Sequence, residues 1–145
     1  MPREQLVIHT ADGECPTSVF TPAGIGPWPA TIIYMDGLGI RPVLFDMGQR
    51  LADAGFVVLL PDLFYRAGPY EPLDVKAVFA SGDVRKALGP LMTSTDNRRA
   101  ALDTAALIEA LEHERAQLTR TTGDDDLHRR RRSAPWPHGS HRSGR

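Results

Sequence analysis

The sequence predicts an α/β protein with a parallel sheet, and three observations carry that prediction. Thr31-Ile-Ile-Tyr-Met35 and Phe56-Val-Val-Leu-Leu60 are short, continuous apolar runs rich in β-branched and aromatic residues. Runs of that kind mark strands buried on both faces. Between them Leu44, Met47 and Leu51 recur at helical spacing behind Pro42, a residue suited to the first turn of a helix. Two buried strands joined by a helix require a right-handed crossover, which makes the pair parallel.

The remaining elements follow in chain order. Gln5–His9 and Thr17–Phe20 flank Ala11-Asp12-Gly13-Glu14, and Asp-Gly is a strong turn signal, so this stretch predicts an antiparallel hairpin. Thr21–Pro29 is rich in Pro and Gly and predicts a loop. Asp36-Gly-Leu-Gly39 ends the first buried strand, because glycine takes backbone angles that a strand cannot hold. Gly55 stops the helix and Pro61 ends the second strand. Asp62-Leu-Phe-Tyr-Arg66 then leads into a long irregular segment, Ala67–Thr95, with a short helix at Asp74–Phe79 and a turn at Ser81-Gly82-Asp83. That segment lies at the carboxyl ends of the parallel strands, where sites form in such sheets. Ser94, Thr95 and Asp96 are good N-caps for a helix from Asn97 to about Gln117, with Ala101, Leu102, Ala105, Ile108 and Leu111 along one face.

Composition divides the chain in two. Residues 1–117 form one incomplete domain, and residues 118–145 read as a disordered, Arg-rich tail. Residues 1–118 carry 10 basic and 15 acidic side chains, a net −5, whereas residues 119–145 carry 7 Arg and 3 Asp, a net +4. The tail has almost no apolar residues and cannot bury enough surface to offset its ordering entropy. A parallel sheet calls for another buried strand after the last helix, and none is written there. Fifteen Arg against two Lys points to a GC-rich coding sequence, and the tail has the composition that a shifted reading frame produces.

Several classes are set aside. Cys15 is the single cysteine, so no intrachain disulfide is expected. No leader is expected, and no apolar run approaches bilayer-spanning length, so the expected location is cytoplasmic. Arg129–Arg132 and Trp136 suggest phosphate binding, and His128, His138 and His141 a metal. Neither a folded platform nor ligand spacing accompanies them, so no nucleic-acid partner and no metal are expected. The alternative function is a small α/β binding module whose basic tail takes nucleic acid or an acidic partner.

The acidic residue and Gly-rich turn after the first buried strand, together with RLADAGFVVLLPDLFYR over residues 50–66, resemble the dienelactone hydrolase family of α/β-hydrolases. The resemblance runs from about Gly13 to Leu111. It implies the N-terminal part of an α/β-hydrolase fold, ester or lactone hydrolysis of small molecules, and no metal or organic cofactor. It also implies that the Gly37 N–H is one oxyanion donor and that Asp36 occupies a nucleophile-orienting position. Family members often carry Glu there, one methylene longer.

The resemblance further implies a Cys or Ser nucleophile, an Asp and a His. Neither G-x-S-x-G nor its Cys equivalent occurs in the chain. Cys15, next to a hairpin turn and before Pro16, reads as a packed residue. Ser81 lacks a preceding strand, and His9 and His113 read as solvated. Arg66, Arg85, Arg98 and Arg99 lie near the presumed rim and could suit a substrate carboxylate, but read as solvated surface charge. The expected outcome is a chain without its nucleophile, acid or base, with negligible turnover, that self-associates through the open edge of the Ile32 strand.

Overall fold

The computed structural model describes the backbone of residues 3–122 and the side chains of residues 3–113. Two units are distinguished, Met1–Ala110 and Leu111–Arg145. The first holds a four-stranded sheet of β1 (Arg3–Thr10), β2 (Gly13–Phe20), β3 (Ala30–Ile32) and β4 (Val57–Pro61), in the order β1-β2-β4-β3. It also holds α1 (Pro42–Asp53), α2 (Val75–Ala80), α3 (Val84–Met92) and the first part of α4 (Asn97–Thr122). Described residues of the second unit continue α4.

The hairpin and the crossover stand as the sequence predicts. β1 and β2 pair antiparallel from Arg3↔Phe20 to Thr10↔Gly13. Thr10 closes the turn by donating its hydroxyl to the Gly13 carbonyl and accepting the Asp12 N–H. β2 pairs antiparallel with β4, and β3 pairs parallel with β4. β4 is buried on both faces, with Val58, Leu59 and Leu60 at most 3% exposed, which is why it lacks polar–apolar alternation.

β3 is shorter than the predicted Thr31–Met35 strand, and the cause is a proline. Val57 N–H donates to Pro29 C=O, and Ile33 N–H to Leu59 C=O. Continuing that parallel ladder requires an N–H from residue 61, which is Pro61. The ladder ends there, and Tyr34 and Met35 are free to lead into the site. Within the described residues β3 has β4 as its one neighbour, so it forms an edge of the sheet.

α1 begins on Pro42 and ends where Gly55, at φ +97°, donates its N–H to Ala52 C=O. Its buried line is Leu44, Gly48 and Ala52, while Met47 of the predicted apolar line is half exposed. Gly48 is the contact residue that hydropathy cannot flag: a Cβ there would stand 2.6–2.9 Å from the Phe20 ring. Phe20, Ile33, Leu44, Ala52, Val58 and Leu60 form the core on this side.

Two corrections concern the C-terminal part. Within Ala67–Thr95 the short helix expected at Asp74–Phe79 is present as α2, but the rest is less irregular than expected, with a 3₁₀ turn (Tyr65–Ala67) leading into it and α3 following α2. α3 escaped prediction because Gly89 and Pro90 sit within it. Pro90 falls in the last turns, and Asp83 caps the start by accepting the Lys86 N–H. α4 runs past Gln117 to Thr122. Its packed side is formed by Asp103 and Leu107, each 1% exposed, whereas Leu102 and Ile108 of the predicted apolar face are about half exposed. One buried carboxylate on a helix reads as surface by pattern, and here it is the reverse. The Arg129–Arg132 run, Trp136 and the tail histidines lie outside the described residues.

Candidate active site

The site is built where β3 gives out. Asp36–Gly39 forms a turn closed by Gly39 N–H donating to Asp36 C=O at 3.0 Å. Gly39 sits at φ +73°, and a Cβ there would press to 3.3 Å on the Phe64 ring, so this position requires glycine on two counts. The Asp36 carboxylate accepts the Leu38 N–H at 3.0 Å and both Arg41 guanidinium nitrogens, Nη1 at 2.6 Å and Nη2 at 2.7 Å. The Arg41 hydrogen bonds are the main reason its carboxyl titrates below the usual range. Asp36 clamps the turn, in which Gly37 is partly buried. Among the described residues no acceptor takes the Gly37 N–H.

Gly37 borders an open cleft of about 380 Å³. The apolar part of its wall comes from Met35, Leu63, Phe64, Met92 and Ala100, and the polar part from Asp36, Thr95, Asp96 and Asn97. Met92 lies over the turn, its Sδ and Cε 3.7 Å from the place of a Gly37 Cβ. Tyr34, also on the wall, is fixed by a hydroxyl–hydroxyl bond to Thr104. The Thr95 hydroxyl is buried with no hydrogen-bond partner among the described residues.

The Asp62–Arg66 phrase does not reach into this cleft through its arginine. Arg66, read as solvated, has a side chain only 10% exposed. Its guanidinium bonds both Asp103 oxygens, at 2.9 and 2.8 Å, while Nε donates to Asp12 at 2.8 Å. Burial opposes its charge, but these carboxylates outweigh burial and hold the guanidinium protonated well above its ordinary range. Tyr65 donates to Asp103, and its phenol is pushed up to about 12, first by burial. Asp62 takes the Tyr70 hydroxyl on both oxygens and the Phe64 N–H, which fixes the 3₁₀ turn under the cleft.

Cys15, Ser81 and His9 do not line the cleft. Cys15 is fully buried, and burial pushes its thiol up to about 11, so it behaves as the packed residue the sequence predicts. Ser81 spends its hydroxyl on the Val78 carbonyl at the end of α2. His9 is exposed on the hairpin beside Glu14, at 3.9 Å, and His113 is exposed on α4. Arg99 contacts Asp96 at 3.6 Å at the rim. Among the described residues no group of three or more His, Cys, Asp or Glu is placed to hold a metal ion. None of the described helices is long and apolar enough to cross a membrane. Arg41 and Met92 were missed by sequence reasoning: nothing in their types separates them from ordinary surface and helix residues.

With the turn, the crossover and the Asp62–Arg66 segment in place, comparison with known proteins decides the family. The profile of the Dienelactone hydrolase family matches residues 15–123. The chain belongs to the dienelactone hydrolase family. A protein of Azospirillum brasilense named as a carboxymethylenebutenolidase is 34% identical over 58 residues, 40% of this chain and 25% of that protein. A second, from Methylorubrum extorquens and with the same name, is 30% identical over 69 residues, 48% of this chain and 24% of that protein. In fold, a crystal structure named as a dienelactone hydrolase from Klebsiella pneumoniae superposes with a TM-score of 0.61 at 18% identity. That superposition covers 77% of this chain and 44% of the other. The chain thus spans about a quarter of its curated relatives and less than half of this structural neighbour. The fold is that of part of an α/β-hydrolase, and the family is one of hydrolases.

Proposed function

We propose that residues 1–117 are the carbonyl-binding part of a hydrolase acting on small esters or lactones. In this reading the Gly37 N–H accepts no role in folding the turn and instead donates to the carbonyl oxygen of the substrate. A donor preorganised where negative charge develops lowers the barrier to acyl transfer by about 3–4 kcal/mol in measured cases. The observation that carries the reading is Gly37 itself: it borders the cleft, its N–H meets no acceptor among the described residues, and Asp36 and Arg41 hold its turn. The nucleophile-orienting role expected at Asp36 requires the carboxylate to give up Arg41.

The nucleophile, acid and base belong, in this proposal, to sequence outside the part of the family that this chain matches, so the chain alone polarises a carbonyl without attacking it. The open edge of β3 is the surface through which it self-associates. The test is the infrared carbonyl stretch of phenyl acetate in the presence of the full chain. A shift to lower frequency that persists in Gly37→Ala, which keeps the N–H, and vanishes in Gly37→Pro, which removes it, supports the reading. An unshifted carbonyl, or a shift retained in Gly37→Pro, overturns it.

A further inference from the structure

We infer that Met92 is an oxidation site, and that its conversion to the sulfoxide by a peroxide closes the cleft by occupying the Gly37 N–H. The closure rests on the proposed reading of Gly37 as carbonyl donor; the modification itself does not. Met92 is the last residue of α3, 52% exposed, and it lies over the site turn on the wall of the cleft. Its Sδ and Cε each stand 3.7 Å from the place of a Gly37 Cβ, which is van der Waals contact. Two other methionines have described side chains. Met35 is partly buried against the core, and Met47 is 47% exposed on α1 and does not line the cleft. A peroxide can therefore reach Met92 and Met47 alike, but of these two Met92 alone borders an unused donor.

The chemistry needs hydrogen peroxide and nothing else. The thioether sulfur attacks one peroxide oxygen through a lone pair, and the S–O bond forms as the O–O bond breaks. The proton on the transferred oxygen passes to the departing hydroxide, and water leaves. Sulfur loses the two electrons that the peroxide gains. The product replaces a flexible apolar side chain with a polar one. Its oxygen is a strong acceptor carried on a sulfur that already touches the Gly37 position, and the unbranched side chain has three torsions with which to turn it. The Gly37 N–H meets no other acceptor among the described residues. Once the sulfoxide takes that N–H, a substrate carbonyl has lost its donor, and the apolar wall has lost one of its members.

The test treats the full isotopically labelled chain with hydrogen peroxide, maps the added oxygen by peptide mass spectrometry, and records amide NMR before and after. Met92 and Met47 are expected to gain one oxygen each ahead of Met35. The Gly37 amide is expected to move downfield with no ester present, as an N–H does on gaining an acceptor. Phenyl acetate is expected to bind about fivefold more weakly, the scale of one hydrogen bond. Methionine sulfoxide reductase is expected to restore both. In Met92→Leu, which keeps the apolar bulk and removes the sulfur, peroxide still oxidises Met47 but leaves the Gly37 amide and that variant's own ester affinity unchanged. Oxidation of Met47 with Met92 untouched, a Gly37 amide unmoved by oxidation of Met92, or the same losses in Met92→Leu overturns the inference. A Gly37 amide that moves on oxidation, in a chain whose Gly37 amide never responded to phenyl acetate, upholds the oxidation site and overturns the carbonyl reading alone.

Discussion

Arg66 and Asp103 form a buried two-bond pair, the side chains 10% and 1% exposed, that joins the 3₁₀ turn after β4 to the packed side of α4. The same carboxylate takes the Tyr65 hydroxyl, and Arg66 reaches on to Asp12 at the hairpin turn. Three elements distant in sequence are thus locked through one carboxylate. Removing it leaves a desolvated guanidinium facing Asp12 alone. Asp103→Ala is expected to destabilise the fold by about 3–5 kcal/mol, the usual cost of breaking a buried pair from one side. Urea denaturation of the variant and the parent measures this, and a loss below about 1 kcal/mol would mean that the pair is solvated in solution.

The contact of Gly48 with Phe20 makes a second prediction. Phe20 is 3% exposed in the core and has little room to withdraw from a Cβ 2.6 Å away. Gly48→Ala should cost about 1–3 kcal/mol by overpacking, against its better helix propensity. A variant as stable as the parent would show that α1 can lift from the sheet.

Cys15 should be inert in the folded chain. With no exposed surface and its thiol pushed up to about 11, it forms almost no thiolate near neutral pH. A disulfide reagent is expected to leave the native chain unlabelled and to titrate its single thiol once denaturant is added. Labelling of the native chain at the rate of a free thiol would contradict both the burial and its exclusion as nucleophile.

The Asp36–Arg41 clamp should show itself on acidification. A carboxyl depressed in the folded state stabilises above its unfolded pKa, and that contribution is lost as pH falls through the lower folded value. Asp36 is more than half exposed, so the effect on stability is small, and the titration itself is the better readout. By carboxyl NMR, Asp36 should titrate below its ordinary 3.8 and return towards it in Arg41→Gln. A midpoint at 3.8 or above in the parent would mean that the clamp is not held in solution.

Much of the architecture was legible because it is encoded locally. The hairpin is written in Asp12-Gly13, the crossover in two apolar runs around Pro42 and Gly55, and the site turn in Asp36-Gly37-Leu38-Gly39. What stayed hidden depends on partners far away in sequence. Asp103 reads as surface until Arg66 is found opposite it, and Gly48 reads as neutral until Phe20 is packed against it. β3 seemed longer than it is because the missing donor belongs to Pro61, on another strand. Met92 joins the site only because α3 forms despite Gly89-Pro90.

The measurement that tests the central claim most directly is steady-state hydrolysis of phenyl acetate by the purified full chain, with Gly37→Pro as control. The account predicts no saturable turnover above the buffer rate in either protein, because a polarised carbonyl has no nucleophile to attack it. Saturable turnover in the parent that is lost in Gly37→Pro would contradict it and would place a working nucleophile within these 145 residues.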